Sequence, residues 1–127
     1  MDPAVDRLGA GSYVLLTTFR KNGTAVPTPL WVVADGEQFA VWTPAAAGKV
    51  KRIRRNPAVT VAPCDVRGRP QGDAVPATAR LLDAAGTARV RALLRRKYGL
   101  IGRITIAGSR LRRGRAGTIA IAITPTE

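Results

Sequence analysis

The residues best suited to chemistry in this sequence are the cations that follow a Trp-Thr-Pro strand end at residues 42–44. Lys49, Lys51 and Arg54 lie on a short predicted helix. The start of a helix offers unpaired N–H groups and the positive end of its dipole. This combination predicts a phosphate-binding site, and the alternative is an ordinary solvated basic face. Trp42, taken alone, fits core packing better than ligand contact.

Two prolines interrupt the strongest predicted strand. Pro27 and Pro29 are two residues apart, so the N–H groups that both lack would have pointed to the same side of the strand. One interpretation is an ordinary edge strand protected by proline. The other is a strand opened locally so that a flat ligand can lie against it. The residues that such a ligand would contact are Thr28, Pro29, Leu30 and Trp31.

The absence of histidine excludes several enzyme mechanisms. It excludes Ser-His and Cys-His nucleophilic catalysis and any metal site that uses His. The single cysteine, Cys64, excludes an internal disulfide and a multi-cysteine cluster, so we expect no metal site and a reducing compartment. Cys64 ends an apolar strand, where a small buried side chain is the usual role. Without a Walker A sequence, a Rossmann glycine triplet or paired carboxylates, redox chemistry would have to come from a cofactor.

The charge balance points to an anionic partner. Lys and Arg number 21 and Asp and Glu number 8, so the formal net charge is +13. Nucleic acid, an acidic membrane surface and a polyanionic small molecule all fit this balance, as does Arg used as a solvated surface residue. The first residues do not resemble a signal peptide, and the longest uncharged stretch, residues 22–34, is too short to cross a bilayer. We therefore expect a cytoplasmic protein that does not bind membranes.

The first half of the sequence predicts an antiparallel meander. Asn22-Gly23 and Asp35-Gly36 are turn pairs that separate three β-branched or aromatic runs. A short basic helix follows and should end before Pro57, because the residue before proline avoids the helical region. The predicted elements up to this point are strands Ser12–Phe19, Ala25–Ala34 and Gln38–Thr43, and a helix within Ala45–Asn56.

The second half predicts two more strands, a longer helix and a last strand. Asp83 is a candidate N-cap for the helix, whose apolar stripe ends at Tyr98. Leu100–Ala107 fits either a strand or a continuing helix, and Gly108–Gly117 is expected to be a basic loop. The other predicted elements are strands Ala58–Cys64 and Asp73–Leu82, a loop Asp65–Gly72, a helix Asp83–Tyr98 and a strand Thr118–Thr124. The pattern predicts one domain over residues 1–127, mainly β, built as a small antiparallel barrel with helices covering its ends.

The run from Val26 to Asp65, VPTPLWVVADGEQFAVWTPAAAGKVKRIRRNPAVTVAPCD, resembles the core of the split β-barrel flavin and deazaflavin proteins. It is most similar to the F420-dependent oxidoreductases of the pyridoxamine 5'-phosphate oxidase-like class. The shared features are a Pro-x-Pro-Leu-Trp strand, a strand ending Trp-Thr, a Lys-Val-x-x-Ile-x-x-Asn-Pro helix and the strand after it. A looser similarity extends through Asp73–Asp83 into the KYGLIGR and GSRLRRGRAGT segments.

The resemblance implies a six-stranded antiparallel split β-barrel that forms a homodimer, with two cofactor sites at the subunit interface. It implies that the cofactor ring lies against residues 28–33, and that Pro63 and Cys64 line the other side of the cleft. A phosphate would be held by Thr43, Lys49, Lys51 and Arg54, and the partner subunit would contribute residues from Tyr98–Arg103. F420 carries a phosphodiester and an oligoglutamate tail, so a basic groove suits it; FMN is the alternative cofactor.

Three hypotheses follow from the sequence. The first is an F420-dependent reductase that transfers a hydride to an unsaturated or conjugated small molecule. The second is a cofactor-binding or carrier protein of the same fold with little turnover. The third is a nucleic-acid-binding barrel, which we regard as a remote alternative because its candidate stacking aromatics all lie inside predicted strands. Those aromatics are Tyr13, Phe19, Trp31, Phe39 and Trp42.

Overall fold

A computed structural model describes Leu8, residues 11–113 and residues 117–126, and for residues 100–113 it describes the backbone only. These residues form six strands and two helices. In chain order the elements are β1 Tyr13–Phe19, β2 Ala25–Asp35, β3 Gln38–Pro44, α1 Gly48–Arg55, β4 Ala58–Cys64, β5 Val75–Leu81, α2 Ala84–Arg113 and β6 Thr118–Pro125.

The predicted meander of β1, β2 and β3 is confirmed, and each turn is made by its Asx-Gly pair. Gly23 and Gly36 have φ angles of 88° and 67°, a left-handed conformation that glycine adopts without steric cost. The Asn22 side-chain oxygen accepts a hydrogen bond from the Thr24 N–H at 3.0 Å, as is usual where Asn begins a turn. Local sequence therefore sets the register of the first three strands.

The six strands close into a barrel in the order β1-β2-β3-β6-β5-β4, and β4 returns to pair with β1. All six strand pairs are antiparallel. The prediction of a mainly β protein built on a six-stranded antiparallel split barrel with helices is thus confirmed. In this order β2 and β5 lie on opposite sides of the barrel.

The barrel interior is filled by alternate residues of each strand. Phe39, with none of its surface exposed, is the largest fully buried side chain, and it packs with aliphatic residues from all six strands. Ile53 of α1 joins the same cluster, so α1 closes one end of the barrel with its apolar face. The other members include Val14, Leu16, Val32, Val41, Val59, Val61, Ile121 and Ile123.

Helix α2 forms a second layer on the outside of the barrel. Its buried residues Val90 and Leu94 pack against the outer faces of β2, β3 and β6. The Asp83 carboxylate accepts a hydrogen bond from the Gly86 N–H at 2.8 Å, so Asp83 caps the helix as predicted. Burying this stripe stabilises the helix far more than intrinsic propensity could.

The structure differs from the sequence prediction after Tyr98. The backbone leaves helical geometry at Gly99 (φ 61°, ψ −137°) and then returns to it as far as Arg113. Leu100–Ala107, which fitted either a strand or a helix, is therefore helical. The prediction of a basic loop over Gly108–Gly117 is wrong for residues 108–113, because Leu and Arg are good helix formers and one Gly-Ser pair does not break a helix without proline. Residues 114–116 lie outside the described part of the chain.

Among the residues that the structure describes, no helix is both long enough and apolar enough to cross a bilayer.

Candidate functional site

Strand β2 changes neighbours halfway along its length, and this opens a gap in the barrel wall. It pairs with β1 over residues 25–31 and with β3 only over residues 32–35. The last β2–β3 pair on the side of the gap is Val32 with Val41. Beyond it, Trp31 and Trp42 lie at the point where the two strands separate. The separation is the split that the fold class implies.

The prolines of β2 have their missing N–H groups on the side of this gap. Arg20 N–H donates to the Thr24 carbonyl at 2.9 Å, so these two residues form a hydrogen-bonded pair between β1 and β2. Such pairs recur at every second residue of an antiparallel ladder. Even-numbered residues of β2 therefore turn their backbone N–H and C=O groups towards β1, and odd-numbered residues turn theirs towards β3. Pro27 and Pro29 are odd-numbered. The edge of β2 that faces the gap therefore lacks two consecutive donors, and β3 cannot pair with it in the regular way.

The opposite edge of the gap, formed by β3, also lacks a backbone donor. Asp35 and Gln38 close the two-residue β2–β3 turn, so even-numbered residues of β3 point their backbone groups towards β2. Pro44, at the end of β3, is even-numbered and also lacks an N–H. Both edges of the gap are thus depleted of donors, which keeps the strands apart.

Side chains of β2 divide between the two sides of the wall. Leu30 packs against the barrel interior, and Thr28, two residues earlier, lies on the same face. Pro29 and Trp31 lie on the outer face, where Trp31 joins the layer formed with α2. The four residues predicted to contact a ring therefore line both sides of one strand beside the gap.

The outer side of the gap is an aromatic surface. The ring of Trp31 stacks on the ring of Tyr98, with centroids 4.3 Å apart and planes 8° from parallel. Trp42 packs into the same layer, and its buried indole Nε1 has no hydrogen-bond partner among the described residues. A buried donor without an acceptor costs free energy. Trp42 Nε1 is therefore a candidate contact for a ligand oxygen.

Tyr98 holds α2 against the residue before β1 and the second half of β2. Its hydroxyl lies 2.6 Å from the Ser12 carbonyl oxygen and 2.9 Å from the Val32 carbonyl oxygen, and it accepts a hydrogen bond from the Val32 N–H at 3.2 Å. Burial raises the pKa of this hydroxyl. Lys97 donates to the Gly11 and Val32 carbonyl oxygens at 2.5 and 2.7 Å. Tyr98 thus contacts its own subunit's wall; the side chains of residues 100–103, expected to reach a partner, lie outside the described part.

The predicted phosphate site brings together Thr43 and Lys49. Lys49 Nζ donates a hydrogen bond to Thr43 Oγ1 at 3.1 Å, and Thr43 is buried at the end of β3. Burial, and then the nearby charge of Arg52, lower the pKa of Lys49. A half-buried ammonium group that contacts no carboxylate among the described residues favours an arriving anion.

The remaining cations of α1 are divided between its two flanks. Arg52, three residues after Lys49, lies on the same flank, and its Nε donates to Thr18 Oγ1 at 2.7 Å. Lys51 and Arg54 lie on the other flank, where Lys51 is exposed and Arg54 lines a cleft against α2. The cations that the sequence grouped together therefore face two separate surfaces. The sequence reasoning did not single out Arg52, although its helical spacing from Lys49 was the available signal.

Pro63 and Cys64 lie one strand away from the gap, because β1 runs between β4 and β2. Tyr13 pairs with Cys64 on one side and with Trp31 on the other, so these three residues form a row on the outer face. Burial, and then the charge of Asp65, raise the pKa of the Cys64 thiol. The thiol is therefore protonated at neutral pH and fits a packing role.

The described residues contain no cluster of three or more His, Cys, Asp or Glu side chains arranged to hold a metal ion. The chemistry available at the gap consists of a cation, hydroxyl groups, an indole donor and aromatic surfaces. Such a site can bind a flat anionic molecule and exclude water from it, but it offers little acid–base catalysis of its own.

The sequence profile of the family described as "Pyridoxamine 5'-phosphate oxidase" matches residues 1–127. No curated protein matches the sequence.

Several solved structures share the fold. An F420 reductase is 21% identical, with a TM-score of 0.66, over 100% of this chain and 97% of its own. The heme storage protein HutZ from Vibrio cholerae is 14% identical, with a TM-score of 0.67, over 99% of this chain and 90% of its own. An FAD-binding protein from Mesorhizobium loti is 14% identical, with a TM-score of 0.62, over 98% of this chain and 86% of its own. At these identities the likeness concerns the fold alone.

Proposed function

Since the chain belongs to the pyridoxamine 5'-phosphate oxidase family, we propose that it is an F420-dependent oxidoreductase whose cofactor lies in the gap between β2 and β3. The observation that carries the proposal is the gap itself, with donor-poor edges, an aromatic outer side and the Lys49–Thr43 pair at one end. The proposal names the residues that would hold the cofactor. They are Thr28, Pro29, Leu30, Trp31, Trp42, Thr43 and Lys49. The sequence also suggested Lys51, Arg54, Pro63 and Cys64, which lie away from the gap and are not part of the proposed site.

The residues at the gap fit such a molecule. The unpartnered Trp42 Nε1 needs an oxygen acceptor, and a ring carbonyl would supply one. Lys49 and Thr43 would bind the phosphate, while Pro29 and Trp31 would form an apolar wall against the ring. These residues bind and orient the cofactor and keep water from it, which is most of what hydride transfer requires of a protein. Bound in reduced form, F420 would supply the hydride that reduces a conjugated small molecule.

The choice of F420 over FMN rests on charge. F420 carries several carboxylates besides its phosphodiester, and the chain has a formal net charge of +13. A positive field of this size raises the local concentration of a polyanion more than that of a single phosphate. The existence of an F420 reductase with the same fold supports this choice. The FAD-binding and heme storage proteins of the same fold are the reason to test other cofactors as well.

A second candidate is a carrier protein that binds the cofactor with little turnover. It is favoured by the absence of any acidic residue or histidine in residues 25–31 of β2 and 42–44 of β3, since a proton donor for substrate reduction is then not supplied by either edge of the gap. The nucleic-acid hypothesis loses support, because Phe39, one of its candidate stacking aromatics, is fully buried in the barrel interior. Its ring is not free to stack on bases.

Titration with F420 tests the proposal directly. We expect the protein to quench or shift the deazaflavin fluorescence at micromolar concentration, and to bind FMN more weakly in a parallel titration. Binding of FMN with no response to F420 would make the cofactor assignment wrong. Oxidation of reduced F420 by a set of conjugated enones, followed by absorbance, then separates an enzyme from a carrier, because a carrier binds the cofactor and leaves it reduced.

The proposal includes a homodimer with the cofactor sites at its interface. The outer face of β1 and β2 carries a row of half-buried apolar residues, including Leu15 and Pro29, and the loop at Gly68 covers part of this row. A second copy of the chain would bury this row. Light scattering after size-exclusion chromatography should give twice the chain mass of 13.5 kDa. A mass of one chain at micromolar concentration would contradict the dimer while leaving the cofactor titration to be judged separately.

A further inference from the structure

A second cleft lies on the flank of α1 that faces away from Lys49. It is bounded by α1, the end of β5, the first turns of α2 and the start of β6, and its volume is about 380 Å³. This size is within the range of small-molecule sites. The lining residues are Ala45, Arg54, Leu82, Asp83, Ala84, Thr87, Arg91, Thr118 and Ile119.

The cleft combines two cations with one carboxylate. Arg54 from α1 and Arg91 from α2 approach it from different helices. The Asp83 carboxylate is already engaged at the helix start, where it accepts the Gly86 N–H at 2.8 Å. Arg91 already has an interaction within the protein, but a guanidinium has five N–H donors, so it can bind a ligand oxygen besides that contact. Guanidinium groups bind carboxylates and phosphates through paired hydrogen bonds.

Thr118 supplies an independent sign that a ligand belongs in this cleft. Only 6% of its surface is exposed, yet its hydroxyl has no hydrogen-bond partner within the described part of the chain. Thr87, the other threonine of the lining, uses its hydroxyl oxygen to accept the Ala120 N–H at 3.1 Å. The large majority of buried hydroxyl groups form a hydrogen bond. Thr118 Oγ1 can therefore donate one to a ligand oxygen.

We propose that this cleft binds the oxyanion group of a small molecule, a carboxylate or a phosphate, between Arg54, Arg91 and the Thr118 hydroxyl. The two guanidinium groups neutralise the charge and the hydroxyl donates to one oxygen. Asp83 disfavours ligands with several negative charges at this position. The site is separate from the gap between β2 and β3, because Arg54 and Lys49 lie on opposite flanks of α1. It therefore adds a second ligand site to the proposed function.

The experiment titrates the intact protein with inorganic phosphate and, in a parallel arm, with glutarate, at constant ionic strength. The readout is the set of backbone amide shifts in ¹H–¹⁵N correlation spectra. We expect saturable shifts at Thr87, Arg91 and Thr118 with at least one of the two anions, and the anion with the lower Kd gives the ligand class. No saturable shift with either anion, or shifts confined to Thr43 and Lys49, would overturn the proposal.

Two variants and a control assign the binding to this cleft. Arg54→Gln and Thr118→Val should each raise the Kd of the preferred anion about tenfold, since each removes one charge-assisted hydrogen bond. Arg96→Gln removes a positive charge from an exposed position on the same helix as Arg91 and should leave the Kd unchanged. Equal loss of affinity in all three variants would indicate general charge attraction and contradict the proposal.

Thr118→Val also separates a binding role from a structural one. Valine has the shape of threonine and removes a hydroxyl that has no partner in the described structure, so the melting temperature should stay the same or rise while anion binding weakens. If the melting temperature falls together with the affinity, the hydroxyl stabilises the folded protein and the assignment of Thr118 to the ligand is wrong.

Discussion

Replacing Lys49 by alanine weakens F420 binding by about ten- to a hundredfold, the largest effect that we expect of any single change at the gap. A charged hydrogen bond contributes about 1.5–3 kcal/mol, and each 1.4 kcal/mol is tenfold in Kd. Lys49 is half-buried and already directed at Thr43, so it binds an anion without much loss of side-chain freedom. The fluorescence titration of wild type and variant measures the ratio of the two Kd values.

Arg80→Ala is the control for this experiment. Arg80 is exposed on β5, and β5 lies opposite β2 in the barrel, so the variant loses one positive charge far from the gap. We expect less than a twofold change in Kd. If Arg80→Ala weakens binding as much as Lys49→Ala does, the net charge of the chain governs affinity and the phosphate site is wrongly assigned.

The affinity for F420 should depend on pH through the protonation of Lys49. Burial and the neighbouring Arg52 lower its pKa from the ordinary value of 10.5, so in the free protein it loses its proton at a lower pH than an ordinary lysine does. Because only the protonated form attracts an anion, affinity for F420 should fall as the pH rises through this lowered pKa. Lys49→Ala should lose that part of the pH profile and keep the rest.

Replacing Phe39 by alanine should lower the free energy of unfolding by about 3–5 kcal/mol, the range found for large aromatic residues removed from packed cores. Phe39 has no exposed surface and packs with residues from every strand of the barrel. Six paired strands leave little room for the wall to collapse into the cavity, so most of that volume should stay empty. Urea unfolding followed by far-UV circular dichroism measures the loss.

The chain contains only one other phenylalanine, and it provides a matched comparison. Phe19 lies at the end of β1 and is partly exposed, so Phe19→Ala should cost about 1 kcal/mol or less. A loss for Phe19→Ala equal to that for Phe39→Ala would contradict the view that the barrel interior carries most of the stability. The slope of the urea dependence should be the same in both variants if the unfolded states are alike.

Much of the fold could be predicted because its signals are local. Asn22-Gly23 and Asp35-Gly36 determine two turns, and Pro57 ends α1, all through interactions within a few residues. The region after Tyr98 could not be predicted in the same way. Gly99 interrupts the helix, and the Gly-Ser pair at 108 and 109 resembles a turn, so only the course of the whole chain shows that helical geometry resumes there.

The candidate site was only partly accessible from the sequence. Pro27 and Pro29 indicated an opened strand edge, and the structure has a gap on the edge that their missing donors face. The division of the α1 cations was not evident, because a run of basic residues does not show which of them faces β1 and β3 and which faces α2. The Trp31–Tyr98 stack joins residues 67 positions apart (98 − 31), and no local pattern links them.

The position of the two tryptophans makes the protein's intrinsic emission a local signal. The chain has two tryptophans, and both lie in the layer between α2 and the outer wall, one of them in contact with the Tyr98 ring. Their emission therefore reports how α2 sits on β2 and β3, and it is insensitive to the packing around Phe39. A melting curve from tryptophan emission and one from circular dichroism will coincide only if the outer layer and the barrel unfold in a single step.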